Sequence, residues 1–250
     1  MKHVDVTHAL KTFSEEINNR SGKILEEYRR NERAFVRSLL PNQTEVKTKD
    51  VLQAGVAMKV TPVSIELHPY VYRQVCSNGC IFGKSTQSHK LRQAEYFFHG
   101  EVDGKAGETI ASTEVDAWLR RAVDACCRSE AFYDSAQKFH TALHVPLTSN
   151  VGVENALLAS LNYEKFSAYK QFHEQIMREY LNHDEPSLFR LVNAVTAVAR
   201  DLHDAEQKWK LEAFAGNLAW SFPHGPFGAS TSAKTLSAPK AQSRSQIVPG

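Results

Sequence analysis

Four cysteines are all that this 250-residue chain carries, and two of them, Cys126 and Cys127, are adjacent. Bridging sequence neighbours is strained, so the count argues against a disulfide scaffold and for a reduced, cytoplasmic compartment. No apolar run approaches the ~18 residues that a membrane-spanning helix needs. The opening stretch MKHVDVTHALKTF lacks the apolar centre of a signal peptide, so no membrane partner is expected. Charge of one sign is scarce as well. The formal net charge is +2, too small to argue for a polyanionic partner by itself. There is no internal repeat.

What is present suits a folded domain. Hydrophobic residues make up 42% and charged residues 23%, enough to bury a sizeable core. The charge is unevenly spread. Residues 1–50 carry 10 basic and 8 acidic groups, and residues 59–100 carry 5 and 2. Residues 101–228 reverse the balance, with 12 basic and 18 acidic, and residues 229–250 carry 3 basic groups and no acid. A basic middle therefore precedes an acidic half.

Periodicity divides the chain. From Asp5 to Leu39, apolar residues recur at spacings of three and four, which predicts a charged helix, broken in two near Gly22 and stopped by Pro41. From Val51 the period changes. VAMKVTPVSIELHPYVYRQVC is rich in β-branched and aromatic residues, VSIEL alternates, and Pro62 and Pro69 mark strand ends or edges. Asn78-Gly79, between YRQVC and CIFG, predicts the tight turn of a hairpin. AEYFFHGEV (94–102) reads as a further strand. Helices are expected over 112–140, 152–162, 163–182 and 186–219, the last with Pro186 in its first turn and Gly216 ending or bending it. The Ser-, Ala- and Lys-rich stretch 223–250 reads as a disordered tail. The expected fold class is α+β: an antiparallel sheet packed by a helical second half. An N-terminal helical segment (1–41), one α+β domain (42–222) and the tail (223–250) complete the layout.

The densest chemistry lies in YRQVCSNGCIFGKSTQSHK, residues 72–90. Cys76 and Cys80, with His89 and His99, form a weak candidate set for Zn²⁺, without finger spacing. A catalytic Cys76 would need a lowered pKa, with Arg73, Lys84 and His89 nearby in sequence. Gly83-Lys84-Ser85 falls short of a phosphate loop, because only three residues separate Gly79 from Gly83 and no helical pattern follows. Basic and aromatic residues interleave over 59–100. Arg73, Lys84, Lys90 and Arg92 could neutralise phosphate, while Tyr72, Phe82 or Tyr96 could stack bases. Carboxylates such as Asp184, Glu185, Asp201 and Asp204 read as solvated helix faces. Asn193, within an apolar helical run, reads as a hydrogen-bonded lock on a helix contact.

Two segments carry a resemblance. LHPYVYRQVCSNGCIFGK, followed by a histidine, is similar to the central motif of domain-of-unknown-function family 932, whose members are often described as phage- or plasmid-like proteins. PSLFRLVNAVTAVARDLHDAEQKWKLEAFAGNLA is similar to that family's C-terminal motif. The likeness spans roughly residues 50–220. It matches Cys76, Asn78, Gly79 and His89 to the first motif and Asn193 and Thr196 to the second. It implies a place on mobile genetic elements and no established activity. The family favours an aliphatic residue where Cys80 stands, which departs from a shared zinc site.

The expected function is a non-enzymatic nucleic-acid-associated protein of a phage, prophage or plasmid, binding or annealing single-stranded DNA through the basic, aromatic β-region. The alternative is a protein-interaction component or inhibitor in phage and host defence, docking through the charged N-terminal helix and the acidic helices. No cofactor is expected; self-association is compatible with either reading. A metal-assisted enzyme at the Cys76–Cys80 hairpin is the third.

Overall fold

A computed structural model describes residues 3–85, 87–92, 112–147, 149–163, 172–182 and 186–221. The expected strand at 94–102 and the expected tail lie outside the described residues. The architecture is α+β, with an antiparallel seven-stranded sheet and seven helices among the described residues.

Helix α1 (Val6–Asn18) starts where the Asp5 carboxylate accepts hydrogen bonds from the backbone N–H groups of Thr7 and His8, which removes two orphan donors. It buries Ala9, Leu10, Phe13 and Ile17. Beyond it the expectation of continued helix to Leu39 is corrected. Ser21 takes a positive φ of 56°, and the chain enters strands β1 (Lys23–Arg30) and β2 (Arg33–Leu39), joined at Asn31, which also has positive φ. Of the described residues in the expected N-terminal helical segment, only Val6–Asn18 is helix, and Lys23–Leu39 belongs to the sheet. The physical reason is that six of the seven β2 residues are buried. A strand covered on both faces loses its alternation and imitates helical spacing.

Strand β3 (Gln43–Lys47) and β2 lie along successive halves of the long β4 (Asp50–Thr61). The other side of β4 pairs along its whole length with β5 (Ser64–Arg73). Strands β6 (Asn78–Ile81) and β7 (His89–Arg92) in turn share the outer edge of β5. One face of the sheet, with Val36, Met58, Ile65 and Val71, joins the main core under α1, α2 (Ser112–Cys127) and α3 (Ser129–Leu143). The opposite face, with Phe35, Leu39, Ala57 and Tyr70, packs on Trp209 of α7 (Ala205–Ser221). The helices α4 (Asn150–Tyr163), α5 (His173–Leu181) and α6 (Leu188–Arg200) complete the second half, with α6 against both α5 and α7.

Two long expected helices are each divided. Arg128 is extended between α2 and α3. Asp204 caps α7 by accepting from the Gln207 N–H at 2.8 Å, a start signal inside what periodicity joined. Pro186 precedes the N-cap Ser187 of α6. Gly216 does not end α7, which runs on to Ser221. A Cβ there would stand 2.1 Å from the Ile81 carbonyl oxygen, so the missing side chain lets the helix lie directly on the β6 backbone.

Candidate functional site: a donor-lined cleft at the β5–β6 turn

The hairpin forms, but its turn is corrected by one step. Asn78 and Gly79 are already in β6, opposite Arg73 and Tyr72. Ser77 carries the positive φ, 50°. Gly79 is needed for a different reason: a Cβ would fall 2.2 Å from the Tyr70 hydroxyl oxygen. Glycine admits the tyrosine ring rather than the turn.

The turn is tied down from two directions. Arg73 donates from Nε and Nη2 to both carboxylate oxygens of Asp50, at 2.7 and 2.6 Å, a bidentate geometry that fixes a guanidinium firmly. Its Nη1 donates to the Cys76 thiol sulfur at 3.0 Å. Arg200, at the end of α6, donates to the Cys76 carbonyl at 3.0 Å and to Asp201 at 2.8 Å. Asp201 holds the Arg200 guanidinium above its ordinary range.

Between the turn and α6 opens a cleft of about 690 Å³, a size suited to a small ligand. Arg73, Cys76 and Asn78 line it from the hairpin; Arg190, Asn193 and Arg200 line it from α6 at the recurrence of one helical face. Lys47 and Glu179 line it as well. Two of its donors lack acceptors. Asn78 is 5% exposed and its Nδ2 has no partner. Arg190 is 9% exposed, its Nε has no partner, and among the described residues no carboxylate meets it. Its guanidinium lies 5.0 Å from the centre of the Tyr180 ring. Lys47 is exposed and lies over the Phe189 ring at 5.9 Å. A concave site lined by donors, two of them buried without acceptors, is built to receive an anionic group.

Other expected residues are not gathered. Among the described residues, the cations and rings of the expected nucleic-acid surface do not share one face of the sheet. Arg73 is buried against Asp50 and lies on the face of β5 opposite to Glu66. Lys90 is bonded to Glu66, seven residues along the strand from Arg73, roughly 23 Å at strand spacing. Phe82 is fully buried, edge-on to Phe139 and Trp220, so it has no face to offer a base. Tyr72 packs partly buried beside the Trp209 cluster. Lys84 is exposed, 3.5 Å from the Ser221 hydroxyl. Arg92 is described only through its backbone pairing with Ser64. Tyr96 and His99 lie outside the described residues.

The weak metal set is likewise scattered. Cys80 faces Val71 in β6 and His89 faces Leu67 in β7, roughly 13 Å apart along the strand. No group of three potential ligands converges among the described residues. Burial pushes the Cys80 thiol well up and brings Cys127 to about 12, which removes thiolate character. Cys126 donates to the Gln87 carbonyl. Thr196 is buried and bonds the Asn193 carbonyl within α6. Asn193 itself faces the cleft instead of locking a helix contact.

Of the cleft residues, Arg73, Cys76, Asn78 and Asn193 carry sequence signals; Lys47, Glu179, Arg190 and Arg200 were missed. Arg190 had one available sign: it is the lone cation in the run LFRLVNAVTAVA, three residues before Asn193. No family model, curated protein or solved structure matches the chain.

Proposed function

We propose that the protein binds a phosphate-bearing nucleic-acid ligand, held at the cleft between the β5–β6 turn and α6 and not across the sheet surface. The observation that carries this reading is that two buried residues lining one cleft, Arg190 and Asn78, each keep a side-chain donor without an acceptor. Leaving buried donors unmade costs about 1–3 kcal/mol each, a cost that a phosphate oxygen would offset.

Fluorescence anisotropy with a labelled single-stranded oligonucleotide at two salt concentrations tests it. Binding should weaken with salt, with a slope near −0.7 per phosphate contact. Lys47→Gln should weaken it further, because Lys47 meets no carboxylate among the described residues. Absence of binding at low salt ends the reading.

A further inference from the structure

We infer that the cleft recognises a terminal phosphate monoester, the phosphorylated end of a strand or a mononucleotide, in preference to the phosphodiesters within a strand. This rests on the proposed phosphate-binding reading and narrows it. Steric fit favours a chain end. The residues that keep unpartnered donors are recessed: Asn78 is 5% and Arg190 9% exposed. An internal phosphodiester has two ester arms, and both would have to follow the phosphorus into the cleft. A terminal phosphate has one arm, which can leave through the mouth. The cleft's volume, about 690 Å³, accommodates a nucleotide-sized ligand and no long strand.

Charge points the same way. Four cationic side chains line the cleft, Lys47, Arg73, Arg190 and Arg200. Asp50 answers Arg73 and Asp201 answers Arg200. Arg190 and Lys47 meet no carboxylate among the described residues, and Glu179 is the one acid among the lining residues. A phosphate monoester carries about −1.5 to −2 at neutral pH, whereas each internal phosphodiester carries one charge. With Glu179 counted, the lining keeps a surplus of one positive charge; Arg190 and Lys47 are the cations without a paired carboxylate, and the second charge of a monoester lets each of them meet one. The planar Arg190 fork can donate two parallel bonds to its oxygens.

The experiment is a titration of the full chain with matched single-stranded oligonucleotides bearing a 5′-phosphate, a 3′-phosphate or hydroxyls at both ends. A nucleoside monophosphate and a phosphoserine peptide complete the set. The expected result is about tenfold tighter binding, or more, of a phosphorylated end over the hydroxyl-ended strand, with the mononucleotide competing. Arg190→Gln should abolish that preference. Arg190→Lys, which keeps the charge but loses the fork, should reduce it, so a folding failure of the first variant does not leave the matter undecided. Equal binding of phosphorylated and hydroxyl ends overturns the end-recognition inference and leaves the nucleic-acid reading standing. Binding of no oligonucleotide overturns both. Tighter binding of the phosphopeptide than of any nucleotide overturns the choice of ligand class.

Discussion

Arg37 and Arg190 are both buried arginines, and their surroundings are opposite. Arg37, on β2 beneath α7, is 1% exposed and donates from Nε to Glu212 at 2.6 Å and from Nη1 to Glu26 at 3.1 Å. Lys208 joins the same group by bonding both oxygens of Glu26. Burial works against the charge on Arg37, yet Glu212 and Glu26 outweigh it and hold the guanidinium above its ordinary range. Burial also pushes the Glu212 carboxyl up, against the pull of Arg37. Only Nη2 of Arg37 is left without a partner. Arg190 has an aromatic ring and a cleft, and no paired carboxylate among the described residues. The first arginine is consumed by the fold. The second retains the capacity to bind something the chain does not supply.

The largest expected effect tests the first half of that contrast. Glu212→Gln leaves Arg37 charged and buried with only Glu26, and should lower stability by about 3–5 kcal/mol. Urea unfolding with an unchanged m-value would register it as a shifted midpoint. A loss under 1 kcal/mol would make Arg37 no more structural than Arg190.

Arg190→Gln should do much less. It removes a cation–π contact worth roughly 0.5–2 kcal/mol and relieves an unpaired buried donor worth a similar amount. The same urea series should show a net change within about 1 kcal/mol. A loss of 3 kcal/mol or more would make this arginine a structural element and erase the comparison.

A pH-dependent effect sharpens the comparison from the acid side. Glu66 is half-buried beside His68, Lys90 and Lys59. Burial alone would raise its carboxyl, but those neighbours outweigh burial and hold it at about 2. A carboxyl whose pKa is lower folded than unfolded stabilises the fold above the unfolded value, here 4.5. That contribution is lost as pH falls from about 4.5 through about 2. Chemical denaturation over that window should therefore fall less steeply for Glu66→Gln than for the parent chain. Parallel curves would refute the assignment.

Much of the fold was legible because it is local. The start of α1 near Asp5, the alternation in β5, the β5–β6 hairpin and the helical periodicity of α2 and α6 follow from propensity and spacing. Where sequence reasoning failed, a tertiary contact had replaced the local signal. β2 resembled helix because α7 covers one face and α1 lies over the other. Asn78-Gly79 resembled a turn because such pairs usually are turns, whereas Gly79 is small to admit Tyr70. The cation-and-ring surface failed because adjacency along a strand sends alternate side chains to opposite faces. Phe82 was sealed under Phe139 and Trp220 for that reason and because helices cover the sheet on both sides.

The sequence by itself determined the α+β class, the place of the hairpin and the identity of individual polar residues in otherwise apolar runs, since these depend on spacings of a few residues. Only the tertiary structure decided that Asn78 and Arg190, more than a hundred residues apart, share one cleft, and that Arg73 and Arg200 are spent on Asp50 and Asp201 while Arg190 is not. Whether a buried charge is answered depends on which elements pack together, and no local pattern records that.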